Sequence, residues 1–122
     1  LHLINWKESL HTHTRTQNNR WLVEFKPGNP LQINRVTAAK LGIADGDMVW
    51  VESKYGRVRA VAHVCDDIHP EVVGLQHGFG HWAFGRVAKD RGTSDSPLRP
   101  TRADPISGQA LHKQCCVRVY KA

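Results

Sequence analysis

Residues 31–64 read LQINRVTAAKLGIADGDMVWVESKYGRVRAVAHV, and this stretch decides the fold. Leu31-Gln32-Ile33 is a short strand. Asn34 then caps a helix over Thr37–Leu41, its side chain accepting a hydrogen bond from an otherwise orphaned amide. Gly42 ends that helix by taking the left-handed conformation, and Ile43 packs back on the last turn. Asp45-Gly46-Asp47 makes a tight turn. From Met48 to Ser53 the side chains alternate, with Val49 and Val51 on one face and Trp50 and Glu52 on the other. Lys54-Tyr55-Gly56 turns the chain into a second strand, Arg57 to Val64. Val58, Ala60, Ala62 and Val64 face the core there, while Arg57, Arg59 and His63 face out. The two strands form a hairpin.

Towards the N-terminus, Leu1–Ile4 reads as a strand and Asn5–Arg20 as an irregular polar loop. Trp21–Phe25 fits a strand or a short helical turn. Lys26-Pro27-Gly28-Asn29-Pro30 is a turn cluster that cannot continue regular structure. Towards the C-terminus, Asp66–Pro70 turns, and Val72–Gln76 is a buried strand that runs into a glycine-rich loop, His77–Trp82. The chain then stays polar to about Gly108, broken by Pro97, Pro100 and Pro105. Cys116–Tyr120 is a final strand with Val117 and Val119 inward. The pattern predicts a mainly β fold: a small barrel of short strands with one or two short helices and long polar loops. Loops this long inside a compact domain are usually functional or disordered.

A length of 122 residues suits one domain, 1–122, and 40% apolar residues can build one core. Lys plus Arg number 17 against 11 Asp plus Glu, a formal charge of +6. Such a surface favours an anionic partner: nucleic acid, an acidic membrane surface or a phosphorylated ligand. Cys65, Cys115 and Cys116 are an odd set with no Cys-x-x-Cys spacing, so they read as strand thiols rather than disulfides or zinc ligands. No apolar run approaches the roughly 20 residues that cross a bilayer, so no direct membrane insertion is expected. The chain opens inside an apolar run without an initiator Met, which reads as a fragment of a longer protein.

The segment richest in chemistry is His11-Thr12-His13-Thr14-Arg15-Thr16, followed by Gln17-Asn18-Asn19. Hydroxyls, imidazoles and amides donate at many angles there, and Arg15 can grip phosphate oxygens bidentately. A solvated loop capping its own backbone accounts for the same composition. His11 with His13, or His77 with His81, supplies only two ligands where zinc takes three or four, so no metal site is expected. Gly78 and Gly80 permit close backbone approach, and Trp82 offers a flat face that fills a cavity or touches a ligand. Ser94, Asp95, Ser96, Asp104, Ser107, His112 and Lys113 could be drawn as a Ser-His-Asp triad, but no nucleophile elbow positions one. No catalytic residue is expected.

Taken together these blocks resemble the C-terminal domain of the dimethyl sulfoxide reductase superfamily, which binds molybdopterin guanine dinucleotide. Three segments carry the resemblance: the His11–Thr16 loop with Gln17-Asn18-Asn19 and Trp21-Leu22; the block from Leu31 to Val64; and Ala103-Asp104-Pro105-Ile106-Ser107-Gly108 with Lys113 and the final strand. The resemblance implies a double-psi β-barrel and a bis-molybdopterin guanine dinucleotide cofactor carrying molybdenum or tungsten. By position it implies that His11, Thr12, His13, Thr14, Arg15 and Thr16 line the dinucleotide, with His77 and Lys113 approaching it. Ser96-Pro97-Leu98 stands where relatives often have Asn-x-Leu, which makes Ser96 the counterpart of that Asn. The implied partners are upstream domains of the same polypeptide, electron-transfer iron–sulfur subunits and membrane-anchor subunits. An iron–sulfur cluster and the residue that ligates the metal would lie upstream. The isolated domain is then not catalytic by itself. The Gln17-Asn18-Asn19 and His77–Trp82 loops look like the branch of thiosulfate, polysulfide, tetrathionate and arsenate reductases. That branch favours the bacterial periplasm and leaves the cytoplasm open.

Other classes compete. A nucleic-acid-binding barrel fits the charge, yet the aromatics are not interleaved with Arg and Lys as stacking platforms need, so no nucleic-acid partner is expected. An aspartate-decarboxylase-like enzyme cleaves a Gly-Ser bond, and the chain has no Gly-Ser dipeptide. A barrel that only docks partners would leave the His/Thr/Arg loop unexplained.

Overall fold

The final strand is what turns the sheet into a barrel. The computed structural model describes residues 1–83, 85–110 and 115–122. It contains β1 (His2–Ile4), α1 (Arg20–Phe25), β2 (Leu31–Asn34), α2 (Arg35–Lys40), β3 (Met48–Glu52), β4 (Arg57–Cys65), β5 (Val72–Gly74), a 3-10 turn (Ser96–Leu98), β6 (Cys115–Cys116) and β7 (Arg118–Lys121). The strands follow the order β6-β1-β5-β2-β4-β3-β7. β6 and β7 are two halves of one chain segment, bent at Val117. β6 pairs antiparallel with β1, and β7 pairs antiparallel with β3 at the other edge. The Val117 amide donates to Leu1 O at 2.8 Å across the bend. The sheet is thereby nearly closed, and the edges that would otherwise stay unpaired are covered. Parallel pairings, β1 with β5 and β2 with β4, interleave with the antiparallel hairpin β3–β4. This is the double-psi β-barrel.

Inward residues fill the barrel by strict alternation. Val49 pairs with Ala60, and Val51 pairs with Val58 on one side and Val119 on the other. Leu3, Leu31, Ile33, Val73, Leu75 and Leu98 join them in the core with no exposure. Each such aliphatic side chain contributes roughly 1.5–3 kcal/mol of burial free energy. The small Ala60 and Ala62 leave room for these larger neighbours. Cys115 is also inside: its thiol donates to Leu98 O at 2.9 Å, and burial pushes its pKa up. All three cysteines are free thiols at strand positions.

Local capping explains the helices. The Asn34 side chain accepts from the Val36 amide at 2.9 Å and itself donates to Ile68 O at 2.7 Å, which ties α2 to the turn before β5. At the other end the Gly42 amide bonds to Ala39 O and the Ile43 amide to Ala38 O, with Gly42 at φ +65°. This pair of bonds is the Schellman arrangement. The helix starts at Arg35, earlier than the predicted Thr37, because the cap sits directly on the end of β2. Trp21–Phe25 is helical rather than extended. Asn19 caps α1 through a 3.1 Å bond from the Trp21 amide.

The outer face of the closure carries Glu52 opposite Arg118. Arg118 Nη2 donates to Glu52 Oε2 at 2.8 Å and the Tyr120 hydroxyl donates to the same oxygen at 2.9 Å. These bonds, from Arg118 first and Tyr120 second, hold the Glu52 carboxyl below its ordinary range. The contribution to stability is present above the unfolded-state pKa and is lost as pH falls through the lowered folded-state value. Glu52→Gln should therefore melt slightly earlier than the unaltered chain at pH 7, by a small margin because the pair is exposed. The two melting curves should converge once the solution is acid enough to protonate Glu52 in the folded state. A difference that persists unchanged in acid would refute this assignment.

Candidate functional site

Two loops at one end of the barrel interlock through glycine. Gly78, at φ +99°, lies so close to the first loop that a Cβ there would stand 2.9 Å from the His13 carbonyl carbon. Gly80, at φ +81°, is wedged harder, its notional Cβ running into the Ser94 amide nitrogen. No side chain fits at either position, so the His77–Trp82 loop is clasped between residues 11–16 and 93–94. Backbone bonds fix it from both sides: the His77 amide to Trp6 O at 2.9 Å, the Gly80 amide to Arg91 O at 3.0 Å and the Asp90 amide to His81 O at 2.8 Å.

The residues of the first loop divide between holding it and facing outward. His11 is buried. Its Nδ1 lies 3.2 Å from Thr16 Oγ1, its Nε2 lies 3.4 Å from Lys26 O, and its ring stands edge-on to Phe79. Lys26 O can only accept, so the proton is on Nε2 and the Thr16 hydroxyl donates to Nδ1. Thr16 Oγ1 in turn accepts from the Thr12 amide at 2.8 Å. Gln17 is buried and donates to His13 O, Asn18 accepts from the Val87 amide at 2.8 Å, and Asn19 caps α1. Thr12, His13, Thr14 and Arg15 are the exposed crest. His13 has a φ of +51°, and its ring meets that of His77 edge-on, 5.9 Å between centroids.

Behind His77 lies a buried carboxylate. Asp95 Oδ1 accepts from His77 Nδ1 at 3.0 Å, while Oδ2 accepts from Arg99 Nε at 2.8 Å and Asn5 Nδ2 at 3.1 Å. With Nδ1 committed to Asp95, Nε2 is the remaining hydrogen-bonding atom of the half-exposed ring, an orientation device common behind functional histidines. A second buried clamp, Asn29, donates to Gln76 O at 2.7 Å and Thr93 O at 2.8 Å and accepts from the Thr93 amide at 2.7 Å.

Between the loops is a cavity of about 230 Å³ lined by Thr14, Phe79, Gly80, His81, Trp82 and Ala83. Among the described residues the buried His81 Nε2 has no hydrogen-bond partner, and Trp82 is 81% exposed. A bare indole beside an imidazole gives the cavity a flat face and a polar edge. A larger concavity, about 800 Å³, lies elsewhere, with Phe25, Met48 and Val61 on its walls beside Lys26, Arg59 and Asp90. Of its cations Lys26 pairs with Glu8 and Arg59 lies over the Trp50 ring, and Asp90 adds a carboxylate, which makes it a poor match to an anionic ligand.

The structure thus brings His13, Thr14 and His77 together with Arg15 on the same loop. His11 and Thr16 turn inward and hold that loop. Ser96 is separated from it by Asp95 and opens the 3-10 turn against a different cavity, about 400 Å³ in volume. Lys113 and His112 lie outside the described residues. Sequence reasoning passed over His81 as a ligand and Asp95 as an orienting group. The signal for His81 was present in Gly78 and Gly80 just before it, whereas nothing local marks Asp95.

Comparison with known proteins gives the family and the fold. The pattern of the family described as "Molydopterin dinucleotide binding domain" matches residues 1–116. The arsenate respiratory reductase molybdopterin-containing subunit of Shewanella sp. (strain ANA-3) is 32% identical across 98% of the chain, and that of Chrysiogenes arsenatis 37% across 87%. The thiosulfate reductase molybdopterin-containing subunit of Salmonella typhimurium is 31% identical across 92%. The chain spans only 16%, 14% and 15% of the lengths of these three relatives. The structure of acetylene hydratase from Pelobacter acetylenicus superposes with a TM-score of 0.84 over the whole chain and 18% of its own, at 18% identity, which shows the fold.

Removing one partner of a buried ion pair leaves the other charge uncompensated. Asp95→Ala should therefore cost about 3–5 kcal/mol in urea denaturation. The double variant Asp95→Ala with Arg99→Met should be more stable than Asp95→Ala alone, because the orphaned guanidinium is gone. Additive losses would show that the pair does not hold these loops.

Proposed function

The chain belongs to the molydopterin dinucleotide binding domain family, and from that premise we propose that it is the cofactor-binding domain, residues 1–122, of a larger oxidoreductase subunit. The ligand proposed is bis-molybdopterin guanine dinucleotide with molybdenum or tungsten. When bound, this group supplies the redox chemistry; the protein supplies binding, orientation and electrostatics.

The observation that carries the reading is a cavity with room for one heterocycle and not for a whole dinucleotide, where exposed Trp82 meets Thr14 and His81, whose Nε2 has no hydrogen-bond partner among the described residues. A ring seated there would stack on the indole and complete the imidazole's hydrogen bonding. Arg15, exposed on the crest, would grip the diphosphate bidentately, with Thr12 and Thr14 adding hydroxyl donors. His13 and His77 would present ring edges to the same ligand, with Asp95 fixing His77. His11 and Thr16 would act by holding the crest in shape. Ser96 and Lys113 are further contacts proposed from the family resemblance. A basic chain of +6 matches an anionic ligand.

For the whole protein we propose reduction of arsenic or sulfur oxyanions, a reading favoured by the named relatives. Upstream domains would supply the other side of the cofactor site, and iron–sulfur and membrane-anchor subunits would exchange electrons. Neither role can be performed by this chain's own residues.

Acid hydrolysis of the purified native protein should release GMP, together with molybdenum or tungsten in metal analysis. Arg15→Met should lower the GMP and metal retained per polypeptide by about ten-fold under limiting cofactor, since a charge-assisted bond is worth about 1.5–3 kcal/mol. Release of a different nucleotide would refute the guanine form, and full retention in the variant would remove Arg15 from the contact.

A further inference from the structure

One face of the barrel carries apolar and cationic side chains that neither the core nor the cofactor site uses. On the outer side of the β3–β4 hairpin, Met48 lies opposite Val61, Trp50 opposite Arg59 and Glu52 opposite Arg57. Met48 and Val61 are apolar yet exposed. Arg57 and Arg59 both lie over the Trp50 ring, 4.6 and 5.5 Å from its centroid. Glu52 already gives Oε2 to Arg118 and Tyr120, and among the described residues neither Arg57 nor Arg59 forms an ion pair. Rows of Met with Val and of Trp with Arg match the centre of a protein interface, not a solvated sheet face.

These rows open onto the groove of about 800 Å³, whose walls include Phe25 as well as Met48, Arg59 and Val61. Phe25 is 78% exposed, and Trp21, one helical turn earlier on α1, is 73% exposed. The groove wall is fixed before anything binds: the Thr93 hydroxyl donates to Arg59 O at 2.6 Å, and Asn29 holds the Thr93 backbone through both its amide and its carbonyl. Single exposed apolar residues need no explanation, but a groove of them joined to an aromatic–arginine row does. A small anion gains little there. A protein surface that inserts an apolar side chain and sets carboxylates against the rim fits both parts.

We propose that this face docks the remainder of the same polypeptide, with an apolar side chain in the groove and carboxylates on Arg57 and Arg59 outside it. The proposal rests on the reading of the chain as one domain of a larger subunit. The chain spans 16% and 14% of the two arsenate respiratory reductase relatives, so more than four-fifths of each of those polypeptides lies outside the matched segment. Stacking on Trp50 holds both guanidinium groups in place before docking, which lowers the cost of ordering them.

The test is arginine labelling with phenylglyoxal in the purified full-length polypeptide, read residue by residue by peptide mass spectrometry. Arg57 and Arg59 should react about ten-fold more slowly than in the urea-unfolded protein, because covered residues react only through local opening. Val61→Asp is tolerated on a bare strand face. It should restore most of the unfolded rate by unseating the apolar contact, while the GMP content of the protein stays unchanged. Arg57→Glu, read at Arg59, carries the same test should Val61→Asp fail to fold. A zero-length carbodiimide should join Lys54, exposed at the hairpin turn, to an Asp or Glu outside residues 1–122. Slow labelling that neither variant relieves assigns the shielding to Trp50 alone and overturns the proposal. Protection that appears only with other subunits added, only at high protein concentration, or only with an oligonucleotide overturns it too. Protection in a protein that yields no GMP sinks the cofactor reading and leaves this one standing; GMP with Arg57 and Arg59 fully reactive does the reverse.

Discussion

Closure of the sheet by one bent strand is the constraint on which the remaining structure depends. Residues 115–121 pair with β1 before Val117 and with β3 after it. The bend converts a twisted sheet with two open edges into a barrel whose interior alternates with its surface residue by residue. A slip of one residue in β7 would expose Val117 and Val119 and drive Arg118 into the core. The hydrophobic alternation therefore fixes the register, and the register fixes where every loop leaves the barrel. Glu52, Arg118 and Tyr120 reinforce this join from outside but do not create it.

The loops at the site have no periodic structure to hold them, and polar burial takes that role. His11, Asn29 and Asp95 are all buried, in segments outside helix and strand. Asn29 alone makes three hydrogen bonds to backbone at two distant loops. Buried polar groups specify geometry only when satisfied, because an unpaired one costs much of what packing supplies. Gly78 and Gly80 complete the arrangement by letting backbone touch backbone. This makes the loop conformation a consequence of long-range contacts, not of local propensity.

That distinction also explains what the sequence revealed. The hairpin β3–β4, the capped helix α2 and the inward Val117 and Val119 follow from patterns within a few residues, and all are found. The α1 segment was ambiguous because five mixed residues satisfy both periods; the Asn19 cap resolves it. The halves of the terminal strand could not be assigned separately, since the bend at Val117 depends on two partners far away in the chain. At the site, the exposed crest from Thr12 to Arg15 was legible from its composition. The inward turn of His11 and Thr16 was not, because a Thr hydroxyl serves a ligand or its own loop equally well in sequence. Asp95 is recognisable only once the fold sets it beside His77, Asn5 and Arg99.

Arg15 and Arg99 illustrate two physical settings for a cation. Arg15 sits on an exposed crest, where its charge is screened and its side chain must be ordered when a ligand arrives. Arg99 is buried and held against Asp95, so its charge is spent on fixing the loops. An exposed cation confers reach and attraction, whereas a buried one confers fixed direction. A dinucleotide is long and has both a flexible diphosphate and a rigid heterocycle. A domain that must hold such a ligand in one orientation gains from an exposed cation that reaches it and a buried ion pair that fixes the loops around it.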